Sequence, residues 1–293
     1  MKKTLIIYNP RAGIKSNRDV AKEVQSKLEN LGYAASIFFL EPEFEQNILS
    51  YDFAEVKLVV AVGGDGTVKV AARTIVQNQL TAELVIIPFG SANVVAKTLG
   101  LSTNIKTALG LLDGKKTKSI DVGVINKTHY FLVGFSSGYV SEVVTGTTTG
   151  LKNRLGFIGY FINLLSRNLK IKRKKFLVMT QNRRFWIKGH SLIIFNACNF
   201  FGLKPKKPID PSDGILNLYV ITNKNFWTLL LAIGHFLLYH EPTQYIFSID
   251  NEFFKIRFRR RPKSAQIDGD LINLPREIEI KVLPRILKVV VGK

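Results

Sequence analysis

The sequence predicts an α/β unit built on a Rossmann-like, doubly wound parallel sheet, followed by an antiparallel, sandwich-like β unit. Three observations carry this expectation. Leu58-Val59-Val60-Ala61-Val62 is an unbroken apolar run, the pattern of a parallel strand covered on both faces. Strand and helix patterns alternate with short connections over residues 1–117. After Lys115-Lys116-Thr117-Lys118 the texture becomes one of short strands separated by turns, which assigns residues 118–293 to a second, β-rich domain.

Taken in order, Thr4 to Tyr8 reads as the first strand and ends in Asn9-Pro10-Arg11-Ala12-Gly13. A helix from about Arg18 to Leu31 places Val20, Val24, Leu28 and Leu31 on one side and closes at Gly32. Ala35 to Leu40 is the second strand, and Phe44 to Tyr51 a short helix. The central strand follows, breaks at Gly63-Gly64-Asp65-Gly66-Thr67, and gives way to apolar residues at helical spacing from Val68 to Val76. Val85 to Pro88 is a further strand, broken by Phe89-Gly90-Ser91-Ala92-Asn93 before a helix at Val94 to Leu99. In the second domain, strands are expected at Ile120–Ile125, Tyr130–Phe135, Phe176–Thr180, Ser191–Asn196, Ile215–Ile221, Phe253–Phe258 and Ile278–Val282. Helices are expected there at Phe157–Leu169 and Phe226–Leu238.

The glycine-rich break carries the first chemical inference. It sits at a strand's carboxyl end and a helix's N-terminus, where open α/β sheets bind ligands and backbone amides favour anions. A tight turn with a capping aspartate is the plain alternative. Gly63, Gly64 and Gly66 around a single acid give more backbone freedom than a cap requires, so a phosphate-handling loop is the better reading.

Composition bounds the rest. The 293 residues suffice for two domains, and 46% hydrophobic with 22% charged residues describes a folded chain. Lys and Arg number 42 against 22 Asp and Glu, a net charge of +20 that draws polyanions: nucleotides, nucleic acid or an anionic membrane surface. The single cysteine, Cys198, excludes an internal disulfide and fits a reducing compartment. The apolar run after Met1-Lys2-Lys3 stops at Asn9-Pro10, too short for a signal core, and Phe226 to Tyr239 is interrupted by Gly234 and His235. A cytoplasmic protein with peripheral membrane association is the expectation. The four histidines show no ligand spacing, and no nucleic-acid motif or stacking platform is present, so no nucleic-acid partner is expected.

The glycine loop resembles the Gly-Gly-Asp-Gly-Thr signature shared by diacylglycerol kinases, sphingosine kinases and NAD kinases. Beyond it, the order of motifs is similar to that of the diacylglycerol and sphingosine kinase family over nearly the whole chain. Asn9-Pro10-Arg11-Ala12-Gly13 matches the family's opening loop, and Pro88-Phe89-Gly90-Ser91-Ala92-Asn93 its second nucleotide segment. Ile120-Asp121-Val122-Gly123 matches an acid that opens the second domain. Asp213-Gly214-Ile215-Leu216 matches a motif beside a structural magnesium in bacterial members, and Asp268-Gly269-Asp270 stands where the family has Asp-Gly-Glu.

The resemblance implies an ATP-dependent lipid kinase acting on diacylglycerol or a related lipid in a cleft between the domains. Phosphoryl transfer needs backbone donors on the phosphates, a metal, and an acid at the attacking hydroxyl. Asn9, Gly63, Gly64, Asp65, Gly66, Thr67, Gly90, Ser91 and Asn93 are then the nucleotide residues. Asp65 and Asp121 would join an acid–water–Mg²⁺ network at the triphosphate, with Asp270 the base at the lipid hydroxyl. Asp213, with the carbonyls of Asp210 and Ile215, would hold Mg²⁺ away from the chemistry, hard oxygen ligands suiting that cation. Gly138-Tyr139-Val140-Ser141-Glu142 resembles a sphingosine kinase stretch whose acid faces the lipid head group, which makes Glu142 a substrate-contact candidate.

The sequence departs from the family in two places. Phe39-Leu40-Glu41 lacks the nucleotide-contacting Thr, and Asp270 stands where Glu is usual. The basic runs Lys170 to Lys175 and Arg257 to Lys263 are expected to meet an anionic membrane. An NAD kinase and a non-catalytic basic binding protein remain the rival readings, and whether the chain forms a homodimer is left open.

Overall fold

The computed structural model describes residues 2–10, 12, 18–41, 44, 48, 50–114, 116–145, 173–197, 209–222, 231, 234–235 and 243–292. The chain divides into two compact units, Met1–Ile120 with Arg285–Lys293, and Asp121–Pro284. The expected boundary at 117/118 thus lies three residues later, and the last nine residues return to the first unit. They return because the final strand continues past the end expected for it at Val282.

In the first unit, strands β1 (Lys2–Tyr8), β2 (Tyr33–Phe39), β3 (Val56–Gly63) and β4 (Glu83–Pro88) lie in the order β2-β1-β3-β4, all parallel. Helices α1 (Arg18–Asn30), α2 (Asp65–Gln77), α3 (Val94–Thr98) and α4 (Ile105–Leu109) form the connections. The end of the last strand closes the row beside β4, Lys288 opposite Glu83 and Val289 opposite Leu84. Strand residues alternate between faces. Ile6, Tyr8, Val60, Val62, Val85 and Ile87 share one core with Val24 and Leu28 of α1. Their neighbours Leu5, Ile7, Val59, Ala61, Leu84 and Ile86 are buried too, so both faces are covered and the apolar run of β3 is explained. Strand order reverses between β1 and β3, the switch point at which doubly wound sheets open a crevice at their carboxyl edge.

The second unit holds β5 (Lys116–Ile125, entering from the first), β6 (His129–Phe131), β7 (Gly134–Gly138), α5 (Tyr139–Thr145), β8 (Lys174–Met179), β9 (Arg184–Gly189), β10 (Ser191–Phe195), β11 (Leu216–Ile221), β12 (Ile246–Asn251), β13 (Phe253–Phe258), β14 (Ala265–Ile267), β15 (Asp270–Leu271) and β16 (Glu277–Gly292, leaving for the first). One antiparallel sheet runs β12-β11-β10-β7-β14-β15. Facing strands β16, β13, β8 and β9 pair antiparallel in that order. Phe135, Leu192, Ile194, Leu218 and Val220 of the first sheet share one core with Phe176, Val178, Phe254, Ile256 and Ile280 of the second, the arrangement of a sandwich.

Several elements differ from expectation. The strand expected at Tyr130–Phe135 is two strands, because the carboxylate of Asp268 takes the N–H groups of Leu132, Val133 and Gly134. Strands β9, β12, β14 and β15 and helix α5 were not anticipated. The helix expected at Phe157–Leu169 lies outside the described residues, as does that at Phe226–Leu238 apart from Leu231, Gly234 and His235; Cys198 also lies outside them. Among the described residues, no helix is long and apolar enough to cross a membrane.

Candidate active site

The first unit gathers its three motif loops at one sheet edge. Tyr8 lies opposite Val62 and Gly63 opposite Pro88, so β1, β3 and β4 end level. The Asn9 N–H donates to the Val62 carbonyl at 3.2 Å, and the Phe89 N–H to the Gly63 carbonyl at 2.8 Å. Helix α2 begins at once: its cap, Gly64, has extended backbone and no side-chain cap bond. The first helical bond runs from the Val68 N–H to the Gly64 carbonyl at 3.1 Å. The amides of Asp65, Gly66 and Thr67 precede it and have no partner within the helix, which makes them donors for an anion.

Each glycine there has its own cause. A Cβ on Gly90 would lie 2.5 Å from the Gly64 Cα, so the second and third loops cross backbone to backbone. A Cβ on Gly63 would lie 2.1 Å from Thr67 Oγ1, whereas one on Gly66 would meet nothing within 4 Å. Thr67 is buried beneath Gly63, and its hydroxyl has no hydrogen-bond partner among the described residues. Gly66 leaves its side of the helix start open.

Asp65 caps a helix other than its own. Its Oδ1 accepts from the Val95 N–H at 3.0 Å, at the start of α3, and so ties the glycine loop to the next one. Asn93 closes that next loop on itself. With φ of 48°, it accepts from the Gly90 N–H at 3.0 Å and donates to the Gly90 carbonyl at 2.7 Å. Its side chain holds the loop in shape, and Ser91 is left exposed at the tip.

In the second unit, Asp121 is fully buried and bound to the Asp210–Ile215 loop. Its Oδ2 accepts from the Gly214 N–H at 2.7 Å, and its own N–H donates to the Pro211 carbonyl at 2.7 Å. Asn196 Nδ2 donates to its carbonyl at 3.0 Å. The sequence reading gave Asp121 and Asp213 separate roles; here they belong to one cluster. Partial burial, together with the charges of Asp121 and Asp210, pushes the Asp213 carboxyl above its usual range, against an opposing bond from the Ile215 N–H. Among the described residues, no three His, Cys, Asp or Glu side chains converge on one cation position. The glycine of the Asp121 motif also has a packing role: a Cβ on Gly123 would strike the Phe131 ring at 2.1 Å.

The hairpin β14–β15 separates its two acids. Ile267 pairs with Asp270, leaving Asp268 and Gly269 as a two-residue turn with φ of 48° and 92°, the type I′ pattern that Asp-Gly favours. Asp268 is committed to structure: Oδ2 accepts from Leu132 at 2.8 Å, and Oδ1 from Val133 at 3.0 Å and Gly134 at 2.9 Å. Asp270 follows on β15 and is exposed. Gln266, which sequence reasoning missed, pins the turn from the other side. Its Oε1 accepts from the Gly269 N–H at 2.6 Å, and its Nε2 donates to Ser136 Oγ at 2.8 Å. Glu142 is half-buried in the first turn of α5, which follows directly on Gly138 (φ 97°). That start is held by Ser191 Oγ, accepting from the Val140 N–H at 3.0 Å beside His190 Nδ1 at 2.8 Å. Polar residues on β-strands gave no sequence signal for this set.

The first unit thus presents helix-start amides, donors of the kind that suit an anion, at the switch point of a parallel sheet, and the second unit holds placed carboxylates. Residues 3–125 match the family model described as the diacylglycerol kinase catalytic domain. A protein of Streptococcus pneumoniae is 28% identical over 305 residues, covering 99% of this chain and 98% of that protein. A diacylglycerol kinase of Staphylococcus haemolyticus is 26% identical over 242 residues, 79% of this chain and 70% of that protein. The crystal structure of a diacylglycerol kinase from Bacillus anthracis has the same fold, with a TM-score of 0.73 at 19% identity over 99% of this chain and 96% of that one. Residues 3–125 therefore match a diacylglycerol kinase catalytic domain, and the chain is similar over nearly its whole length to proteins named as lipid kinases, the resemblance its motif order implied.

Proposed function

We propose that the protein transfers the γ-phosphoryl group of ATP to the hydroxyl of diacylglycerol or a closely related lipid. The observation that carries this reading is the set of helix-start amides at Asp65, Gly66 and Thr67, without a partner among the described residues and held against the loop of Gly90 to Asn93 by the Asp65–Val95 bond. In this reading those amides receive phosphate oxygens, Asn9 and Ser91 flank the nucleotide, and Glu142 contacts the lipid head group. Asp270 accepts the hydroxyl proton as the lipid oxygen bonds to the γ-phosphorus and the bond to ADP breaks. Asp65 orders its loop and supplies negative charge for a cation at the triphosphate.

Magnesium belongs to the same reading. The donor chemistry near Asp213 suits it: a carboxyl pushed up by burial, and further by the charges of Asp121 and Asp210, is what a hard dication would relieve, with the carbonyls of Asp210 and Ile215 as its further ligands in this reading. When bound, it would supply positive charge that the crowded carboxylates and the phosphates lack.

The test is transfer from ATP to diacylglycerol in neutral detergent micelles. Asp65→Asn keeps an acceptor for the Val95 N–H and removes only charge, so a folded variant with activity lowered about 100-fold or more is expected. Retention of most activity at saturating ATP and Mg²⁺ would make the loop structural and overturn the reading.

A further inference from the structure

The outer face of the strand row β16-β13-β8-β9 is divided by charge. Directly paired residues share a face, and the register puts Glu277 and Glu279 beside Arg257 and Lys255, then Leu177 and Met179, then Trp186 and Arg184. The β16–β13 half neutralises itself. Lys255 Nζ lies 3.1 Å from Glu277 and 2.9 Å from Glu279, and Arg257 pairs with Glu277.

The β8–β9 half does not. Lys175 stands directly opposite Lys188, with Arg184 two residues beyond Trp186 on the same face. All three cations are exposed, and none has an ion-pair partner among the described residues. Like charges directly opposite each other destabilise a sheet. Between them Trp186 is 61% exposed, over the buried Leu177. Charges on an outermost strand can guard against aggregation, which accounts for the lysines. It does not account for a bare indole on the same strand. Cations around a tryptophan suit the interface of an anionic bilayer, where the ring sits at headgroup depth and phosphates meet the charges.

We propose that the outer face of the β8–β9 hairpin docks on an anionic phospholipid bilayer, with Trp186 inserted at headgroup level and Lys175, Arg184 and Lys188 on the lipid phosphates. The proposal refines the lipid kinase reading by naming the surface that meets the substrate's membrane. Of the basic runs expected to meet the membrane it keeps Lys175 alone, since Arg257 is engaged by Glu277 and residues 170–172 lie outside the described residues.

The chain has two tryptophans, so full-length Trp227→Phe makes Trp186 the sole reporter. Its emission should shift to the blue, and be quenched by brominated acyl chains, with vesicles of three parts phosphatidylglycerol to seven of phosphatidylcholine. Pure phosphatidylcholine should produce neither effect. Each juxtamembrane cation contributes about a fivefold increase in binding, so Lys175→Gln/Arg184→Gln/Lys188→Gln should lower the vesicle partition coefficient roughly 100-fold. The thermal midpoint of that triple variant is measured in parallel, and Trp186→Phe, which keeps the ring, should bind within a few-fold of wild type.

Three results would each overturn the proposal: vesicle binding with unchanged Trp186 emission, wild-type partition of a folded triple variant, or loss of mixed-sequence single-stranded RNA binding in that variant with vesicle binding intact. Activity on short-chain diacylglycerol in neutral micelles should stay within twofold in every variant. If wild type shows none there but docks as described, the lipid kinase reading fails and the docking surface stands.

Discussion

Asp268→Asn separates the two acids of the β14–β15 hairpin. The carboxylate of Asp268 accepts three backbone N–H groups, two on Oδ1 and one on Oδ2. Asparagine at this site keeps one acceptor oxygen for Val133 and Gly134, but without charge, and turns its NH₂ toward the Leu132 N–H. Weakening two charge-assisted bonds to neutral ones costs about 1 kcal/mol each, and a donor facing a donor adds about 1–3 kcal/mol. The sum is roughly 3–5 kcal/mol, a large part of the ~5–15 kcal/mol that holds a domain together. The φ of 48° adds nothing to that figure, because asparagine tolerates the left-handed region as aspartate does. Calorimetry should therefore show the Asp268→Asn midpoint falling by on the order of 10 °C. Asp270→Asn, at an exposed position, should move it by less than ~0.5 kcal/mol in equivalent stability, while lowering kcat about 100-fold or more with little change in the KM for ATP. A thermally wild-type Asp268→Asn would refute the clasp. A normal kcat in Asp270→Asn would return both acids to the turn.

Three further outcomes follow from the site. Gly90→Ala drives a Cβ to 2.5 Å from the Gly64 Cα and 2.9 Å from Asn93 Oδ1, so the loops must part, and ATP affinity measured by calorimetric titration should fall at least tenfold. Asp213→Asn should raise the thermal midpoint of metal-free protein at pH 7: a carboxyl with a raised folded pKa imposes its penalty above that value, and the gain should vanish below the unfolded value of 3.8. Magnesium should stabilise wild type and lose that effect in Asp213→Asn. Gln266→Leu should lower kcat by cutting the support of the turn, yet lower it no further in an Asp270→Asn background; an equal loss in both backgrounds would show that Gln266 acts elsewhere.

The first unit was legible because its signals are local. A run such as Leu58 to Val62 and a glycine break need nothing from the rest of the chain, and Gly63, Gly64, Asp65 and Gly66 fall where the pattern put them. Even there one contact was not readable: that Asp65 caps α3 is decided by two loops adjacent in space. The second unit is made of long-range pairings, which leave weak local traces. Arg184 to Gly189 gave no strand reading because its charged outward positions, Arg184 and Lys188, interrupt the apolar residues, yet Ile187 and Gly189 are buried. Tyr130 to Phe135 looked continuous because nothing in those six residues announces an aspartate over a hundred positions away that takes their amides. A separation of 93 positions likewise hid the bond of Asp121 to Gly214 in the Asp210–Ile215 loop.

The central claim is that the amides at Asp65 to Thr67 hold ATP phosphates for transfer to a lipid hydroxyl aided by Asp270. Incubation with γ-labelled ATP and diacylglycerol in neutral micelles, with NAD as an alternative acceptor, tests it most directly. Wild type should place label in an acidic phospholipid and none in the dinucleotide, and both Asp65→Asn and Asp270→Asn should reduce that label by about 100-fold or more. Label in the dinucleotide, or no acceptor-dependent label from folded wild-type protein, would contradict the account.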